Sequence, residues 1–195
     1  MNTEKSEQEN GYSKRIEYYE KNIKQYVLDR FVPKIKDTLR QNSFNELQKV
    51  ESSFLTGRVG SGKSVMAAWM TTEWTRLQYM QRKQRDFRFL TAIEMLQILK
   101  NSYNNKSDEN GEKESEIIHN FKNVPLLVID DFGIEKTTDW AFQLFYSIIC
   151  YRYDYYKTTI YTSNLSLDQL ALNFQDDRIT SRIAEQCKGN IIEFK

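Results

Sequence analysis

An eight-residue segment, GRVGSGKS at Gly57–Ser64, constrains the fold more than any other part of this sequence, because it fits the pattern GxxxxGK[ST] without a mismatch. Glycines in such a loop let backbone N–H groups point inward around a phosphate, and a following helix turns its positive end toward the same anion. A strand-like apolar segment precedes the loop at 52–56, and a helical pattern follows it at 65–82. The sequence therefore predicts a strand–loop–helix unit that binds ATP with Mg²⁺.

Each part of this loop has a predicted role. Its backbone N–H groups surround the phosphates, the ammonium group of Lys63 reaches the β- and γ-phosphates, and the hydroxyl group of Ser64 holds Mg²⁺. A chance glycine-rich turn is the alternative, but the pattern is uncommon by chance and here it lies between a strand and a helix. The predicted nucleotide-binding residues are Gly57, Gly60, Ser61, Gly62, Lys63, Ser64 and Val65.

Two adjacent carboxylates follow a second apolar segment, at 126–129. A continuous apolar run is typical of a parallel strand that is covered on both faces. Asp130, at the end of this Walker B pattern, is predicted to hold Mg²⁺ directly or through water, and Asp131 is predicted to polarise the attacking water. A solvated Asp-Asp turn is the alternative for this segment alone, and the upstream phosphate loop favours the catalytic interpretation.

Another predicted strand, at 158–163, ends in polar residues just before Asn164. The Asn164 amide group is predicted to sense the γ-phosphate and to orient the attacking water; the alternative is that Asn164 caps the next helix. Further along, Arg178 and Arg182 lie four residues apart on one helical face. They either form solvated ion pairs, or one of them neutralises transition-state charge in a neighbouring site.

Strand-like and helical segments alternate from residue 52 onward, which predicts a parallel α/β sheet covered by helices. The predicted domains are a tail with a helical extension, a candidate partner-binding element, at 1–48 and an ATPase domain at 49–195. The predicted strands are 52–56, 87–91, 126–131, 158–163 and 190–194. The predicted helices are 65–82, 92–103, 140–153, 167–174 and 178–186, with one or two helical turns at 116–122 and a solvated loop at 104–116.

Apolar spacing also predicts which helix faces are buried. The helix at 65–82 is predicted to bury one face, made of Met66, Met70, Trp74, Leu77 and Met80. The helix at 92–103 is predicted to bury a face made of Ile93, Leu96 and either Leu99 or Lys100.

The N-terminal extension contains a predicted disordered tail at 1–11, a helix from Tyr12 to Val27 and a weaker helix after Pro33 that includes Phe44 and Leu47. The first helix has an apolar stripe that includes Tyr12, Ile16, Tyr19, Ile23 and Tyr26. This stripe either docks a helicase or another copy, or packs on the chain's own ATPase core. Residues 1–48 carry nine basic and eight acidic side chains, so the extension is not predicted to be an electrostatic arm.

Composition excludes several other classes of function. The formal net charge of +1 argues against a strongly basic nucleic-acid binder, although the basic group at 82–88 is either a DNA track or a solvated helix end. The two cysteines, Cys150 and Cys187, form no CxxC pattern, which argues against structural zinc and disulfides. With so few cysteines and no signal-peptide pattern at the polar start of the sequence, a cytoplasmic protein is expected. No apolar run is long enough to span a membrane.

Several of these motifs together resemble one family. GRVGSGKS, LLVIDDFG, Arg152-Tyr153, TTIYTSNLSLDQL and SRI resemble the DnaC/DnaI-like helicase loaders and the related IstB-like transposition ATPases, which belong to the AAA+ class. The resemblance covers about 54–194. It implies a P-loop AAA+ parallel sheet of strand order 5-1-4-3-2, flanked by helices. It also implies that Asn164 is sensor 1, that Arg182 is an arginine finger with Arg178 as a weaker candidate, and that the chain forms a homo-oligomer.

The resemblance implies a slow ATPase, stimulated by DNA or a partner, that uses ATP and Mg²⁺ in a bacterial, phage or mobile-element context. Its expected partners are a replicative DNA helicase and single-stranded DNA. One alternative is an IstB-like transposition regulator with a transposase as partner. Family members usually continue to a sensor 2 arginine, whereas this sequence stops at Lys195, which favours a second alternative, a nucleotide-gated adaptor that hydrolyses little ATP.

Overall fold

The structure, a computed structural model, describes residues 11, 13–41, 47, 49–104, 114–133 and 138–195. The chain divides into two compact units, of which unit 1 comprises Met1–Val50 and Ala68–Arg85 and unit 2 comprises Glu51–Ala67 and Asp86–Lys195. No helix in the described ranges is long and apolar enough to cross a membrane. The predicted domain boundary at residues 48 and 49 stays a prediction.

Five parallel strands form the sheet of unit 2. They are β1 (Ser53–Gly57), β2 (Phe87–Thr91), β3 (Leu126–Asp130), β4 (Thr158–Ser163) and β5 (Ile191–Phe194). Their order across the sheet is β2-β3-β4-β1-β5, which confirms the predicted order 5-1-4-3-2. Every residue of β3 is buried, as expected for a central parallel strand that is covered on both faces.

The register of the sheet brings three polar strand ends to one edge. Thr56 of β1 lies opposite Ser163 of β4. Strands β3 and β4 are aligned so that Asp130 lies beside Thr162. Because all these strands are parallel, their carboxyl ends meet at the same edge, where α/β proteins place their ligand sites.

Helices of unit 2 follow the strands in alternation. Helix α4 comprises Lys63–Met80, and its first turn belongs to unit 2. The helices that follow in this unit are α5 (Ala92–Asn104), α6 (Glu114–Asn123), α7 (Asp139–Asp154), α8 (Leu167–Phe174) and α9 (Arg178–Gln186). Helix α7 begins after Thr138, whose hydroxyl accepts from the Ala141 N–H at 3.2 Å. Helix α8 begins after Ser166, which forms a capping box with Gln169.

Aromatic packing dominates the core of unit 2. The ring of Phe132 lies 5.2 Å from that of Phe145, 5.4 Å from that of Phe174 and 6.2 Å from that of Tyr161, measured between centroids. Phe132 follows directly on the two carboxylates of the Walker B pattern and is fully buried. Its burial therefore anchors the chain just beyond the polar edge of the sheet.

Unit 1 is helical. Residues 13–18 form α1, which continues through a π-helical turn, Tyr19–Ile23, into α2 (Lys24–Leu28), and α3 comprises Pro33–Gln41. The remainder of α4 belongs to the same unit. Tyr19 is 1% exposed, and its hydroxyl donates to the Thr72 carbonyl at 2.8 Å. Tyr19 of the predicted stripe thus packs on α4. Tyr26 of the same stripe is 61% exposed, so it would be buried only if a partner covered it.

Two predicted helix faces describe only part of the observed burial. In α4 the predicted stripe is buried or half-buried, but all residues from Thr71 to Arg76 are buried as well, the polar ones included. Within unit 1 the N-terminal segment covers the polar side: Leu47 donates its N–H to the Glu73 carboxylate at 3.0 Å, and Arg76 pairs with that carboxylate at 2.9 Å. In α5 the buried face is shifted, since Ile93 is 44% exposed.

Several predicted segments lie wholly or partly outside the described residues. The predicted tail at 1–10, Tyr12 and Phe44 lie outside the described residues, whereas Gly11 is helical. Residues 105–113 of the predicted solvated loop also lie outside them. The last three residues of that predicted loop, 114–116, belong instead to the first turn of α6, whose acidic side chains favour a helix N-terminus.

Candidate functional site

The loop between β1 and α4 has a backbone that favours glycine. Gly57 has a φ of 142°, and a Cβ at this position would overlap the Phe194 carbonyl of the neighbouring strand β5. Gly60 and Gly62 have φ values of 81° and 97°. The Gly62 carbonyl accepts the first bond of α4, from the Met66 N–H at 2.9 Å. The earlier N–H groups of this helix end therefore have no intrahelical partner and suit an anion.

Lys63 lies at the first position of α4 and is 5% exposed. Its ammonium group donates to the carbonyls of Gly57 and Arg58, at 2.8 Å each. An ammonium group has three N–H donors, so one remains for a phosphate oxygen. Burial lowers the pKa of Lys63, and the carboxylates of Asp131 and Asp130 oppose that shift.

Ser61 provides an independent indication that this loop binds a ligand. Its hydroxyl oxygen is buried and has no hydrogen-bond partner among the described residues. A buried hydroxyl group without a partner is costly, and a phosphate oxygen would satisfy it. The neighbouring Val65, in the first turn of α4, is half-buried.

Asp130 accepts two hydroxyl hydrogen bonds on the same oxygen. The Ser64 hydroxyl donates to Asp130 Oδ1 at 2.9 Å, and the Thr162 hydroxyl donates to the same atom at 2.5 Å. Burial raises the pKa of Asp130, the two hydroxyl bonds lower it, and the Asp131 charge raises it further. A carboxylate next to a serine hydroxyl offers two hard oxygen ligands, which is the donor set that Mg²⁺ prefers.

Asp131 adopts an unusual backbone conformation, with a φ of 55°. Left-handed backbone is uncommon for residues other than glycine, although aspartate tolerates it better than most. The Asp131 N–H donates to the Thr162 hydroxyl at 2.9 Å, and the Phe132 N–H donates to the Thr162 carbonyl at 2.8 Å. The half-buried Asp131 carboxylate makes no hydrogen bond within the described parts of the chain, so it is available to a water molecule.

Asn164 is not a helix cap. The cap of α8 is Ser166, whose side chain accepts from the Gln169 N–H at 3.2 Å. The half-buried Asn164 amide group has no hydrogen bond to any described residue. The preceding residue, Ser163, holds this part of the chain in place, because its hydroxyl donates to the Phe132 carbonyl at 2.6 Å. The structure therefore removes the capping alternative and leaves the amide group free for a ligand.

The two arginines of α9 lie apart from the residues above. Arg178 pairs with Asp176 at 2.6 Å. The Arg182 guanidinium lies 4.9 Å from the centroid of the Tyr153 ring and 3.3 Å from the Glu185 carboxylate. Neither arginine has a described contact with the phosphate loop of its own chain. The predicted arginine-finger role of Arg182 stays a prediction.

Thr162 is the site residue that sequence reasoning missed. It joins the two Walker B residues, since its hydroxyl donates to the Asp130 carboxylate and accepts from the Asp131 N–H. The signal was present, because β3 and β4 are neighbours in the predicted strand order and their last residues must lie side by side. The sequence pattern drew attention instead to Asn164, the polar residue after the strand.

Comparison with known proteins agrees with this geometry. The family model described as IstB-like ATP binding protein matches residues 12–189. The replicative helicase loader DnaI of Bacillus subtilis (strain 168) is 28% identical over 133 residues, which are 68% of this chain and 39% of DnaI. The phage-like element PBSX protein XkdC of the same strain is 27% identical over 177 residues, 88% of this chain and 56% of XkdC.

Solved structures show the same fold. A crystal structure of the DnaC helicase loader superposes with a TM-score of 0.58 at 26% identity, covering 86% of this chain and 96% of that one. DnaA from Aquifex aeolicus, solved with AMPPCP, superposes with a TM-score of 0.57 at 19% identity, covering 88% and 50%. The five-stranded parallel sheet flanked by helices matches the AAA+ P-loop fold of these neighbours.

Proposed function

From the premise that this chain belongs to the family of IstB-like ATP-binding proteins, we propose that it is an ATPase of the helicase-loader type. It binds ATP with Mg²⁺ at the phosphate loop, hydrolyses ATP slowly, and turns over faster with DNA or a protein partner. The observation that carries this proposal is the cluster in which Lys63, Ser64 and Asp130 meet, with Thr162 joining the last to β4.

The proposed chemistry divides among residues of one edge of the sheet. The loop N–H groups, Ser61 and Lys63 hold the phosphates, and Ser64 and Asp130 offer oxygens to Mg²⁺, which screens the phosphate charge when bound. The Asp131 carboxylate accepts a proton from the attacking water, and the Asn164 amide group orients that water. The buried, partnerless Ser61 hydroxyl supports an oxygen ligand at this place.

The helicase-loader part of the proposal rests on the relatives. One relative is named as a replicative helicase loader and another belongs to a phage-like element. The chain spans 39% and 56% of the length of these two curated relatives. The proposed partners are therefore a replicative helicase and single-stranded DNA, within a homo-oligomer that places ATP at its subunit interfaces.

Replacing Lys63 with alanine should abolish ATP binding, because the substitution removes the buried ammonium group that faces the β- and γ-phosphates. We would measure the binding of a fluorescent ATP analogue and ATP turnover, with and without single-stranded DNA. Lys188→Ala, which removes an exposed cation of unit 2, is the control and should bind normally. Unchanged ATP affinity in the Lys63 variant would sink the phosphate-loop assignment.

The same assay separates the loader from the adaptor alternative. Tight ATP binding without turnover, with DNA and a helicase both present, would contradict the ATPase proposal and favour a nucleotide-gated adaptor. A transposition regulator would keep the turnover but would not bind a helicase, so co-purification with a replicative helicase distinguishes these two functions.

Replacing Arg182 with alanine should lower the ATP turnover of the assembled protein by about 100-fold, because an arginine that acts between subunits stabilises transition-state charge. Lys188→Ala, which removes an exposed cation of unit 2, is the control and should keep the parental turnover. Mixing Arg182→Ala with Asp131→Asn should restore part of the activity, since some interfaces then combine an intact Asp131 with an intact Arg182. Mixtures that stay inactive at every ratio would contradict action between subunits.

A further inference from the structure

The near-neutral net charge of the chain conceals an uneven distribution between its two units. The described part of unit 1 carries thirteen lysines and arginines but only five aspartates and glutamates. Three of the five acidic groups are already paired, Glu20 with Lys24, Asp29 with Lys36 and Glu73 with Arg76. Since the whole chain is at +1, the remainder is net negative, and the positive potential belongs to unit 1.

One part of unit 1 combines these cations with stacked aromatic rings. The Tyr79 ring, near the end of α4, lies 6.2 Å from the Tyr18 ring at an interplanar angle of 16°. The guanidinium groups of Arg15 and Arg85 lie over the same Tyr79 ring, 5.5 and 5.2 Å from its centroid. We call Arg15, Tyr18, Tyr79 and Arg85 the Tyr79 cluster. Tyr18 is 55% exposed, so part of its surface remains for a ligand.

Two further cations stand next to the cluster in the turn that ends α4. Lys83 donates its N–H to the Gln78 carbonyl at 2.9 Å, which makes Arg82 the left-handed residue of the helix end, with a φ of 56°. Glycine is the usual residue at such a position, because it avoids the steric cost of a side chain. The chain has an exposed arginine there instead, and neither Arg82 nor Lys83 forms an ion pair with a described carboxylate.

A solvated helix end accounts for the cations alone, since a helix C-terminus favours positive charge. It does not account for an exposed tyrosine stacked on a ring that already carries two guanidinium groups. Single-stranded nucleic acids are recognised by this combination, with phosphates beside lysine and arginine and bases stacked on aromatic rings. A duplex keeps the faces of its bases stacked inside, so it would use the charges and not the exposed Tyr18 ring.

We propose that the Tyr79 cluster, together with Arg82 and Lys83, binds single-stranded DNA on unit 1. The inference rests on the proposed function only for the choice of DNA as the ligand. It adds the surface of the protein at which that DNA binds. Binding at this surface needs neither ATP nor the residues of the phosphate loop.

The test is the fluorescence anisotropy of a labelled thymidine oligonucleotide, titrated with the full chain without nucleotide at several salt concentrations. Arg82→Gln/Lys83→Gln should weaken binding about tenfold at low salt and lower the slope of log K against log salt by roughly one to two units. Lys188→Gln/Lys195→Gln removes the same charge from exposed positions of unit 2 and should change binding by less than about twofold.

The stacking part of the proposal has its own variant. Tyr18→Ala should weaken oligonucleotide binding about tenfold without changing the salt slope, because it removes a base-stacking ring and no charge. Tyr156→Ala, at a 95% exposed tyrosine of unit 2, is the matched control. If Tyr18→Ala lowers the melting temperature, Tyr18→Leu replaces it, and the charge variant tests the surface independently.

Three outcomes would overturn the proposal: parental affinity in both surface variants, equal losses in the control variants, or equally tight binding of a duplex of the same length. Lys63→Ala should keep the parental affinity for the oligonucleotide. The ATPase proposal and the DNA surface can therefore fail separately, since turnover without DNA reports only on the first and nucleotide-free binding only on the second.

Discussion

Replacing Arg152 with methionine should lower the free energy of unfolding by about 3–5 kcal/mol, because it breaks five hydrogen bonds of a fully buried guanidinium group and leaves buried carbonyls without a donor. The guanidinium group has no carboxylate partner in its hydrogen-bond set. It donates instead to the carbonyls of Phe121, Lys122, Val124 and Thr158 and to the Thr159 hydroxyl, at 2.6–3.2 Å. Burial lowers its pKa to about 10, so the group remains charged at neutral pH.

The position of these acceptors explains the size of the effect. Phe121 and Lys122 lie in the last turn of α6, whose carbonyls have no intrahelical donor. Methionine fills a similar space but donates nothing, and each buried carbonyl left unpaired costs about 1–3 kcal/mol. Urea unfolding followed by far-ultraviolet circular dichroism measures the change. Arg178→Met, which affects an exposed ion pair, is the control and should cost under about 1 kcal/mol; equal losses would contradict the role given to Arg152.

Replacing Thr162 with valine should lower ATP turnover about 100-fold, which corresponds to about 2.7 kcal/mol of transition-state stabilisation. Valine keeps the branched shape but has no hydroxyl, so Asp130 loses a donor and the Asp131 N–H loses its acceptor. The Asp130 carboxylate then loses a contact that orients it, and Asp131 loses a contact that holds its backbone. Small misplacements of catalytic groups have effects of this size.

Binding and turnover measurements distinguish a positioning role of the Thr162 hydroxyl from an effect of the substitution on folding. ATP binding without Mg²⁺ should remain within about twofold of the parent, because the phosphate loop is unchanged, whereas the Mg²⁺ concentration for half-maximal turnover should rise. Thr162→Ser restores the hydroxyl and should recover most of the activity. Normal turnover in the valine variant would show that Thr162 does not position the carboxylates.

Sequence patterns predicted the sheet well because each strand carries its own local signal. The bounds of β2, β4, α8 and α9 agree with the predicted bounds at both ends. The phosphate loop and the Walker B pattern also lie where predicted, at the carboxyl ends of β1 and β3. Local hydrophobic runs and turn residues suffice for these features, since parallel strands in this fold are buried on both faces.

The features that the sequence did not reveal depend on contacts between distant segments. The polar side of α4 is buried because the N-terminal segment covers it, as the Leu47 and Glu73 contact shows, and the spacing within α4 carries no sign of that cover. The basic surface was recognised only in part, as the basic group at 82–88, for a related reason. Counting charges over 1–48 gave near balance, whereas the structure joins part of this segment with the cations at the end of α4.

The short strand β5 makes the phosphate loop sensitive to events at the border of the sheet. It comprises four residues, and Ile191 and Ile192 are 48% and 43% exposed. Its Phe194 carbonyl nevertheless forms the wall against which Gly57 rests. Segments with little burial open locally at a lower cost than central strands. We therefore expect thermal fraying of β5 to loosen the first turn of the loop, so that nucleotide affinity declines on warming before the rest of the sheet melts.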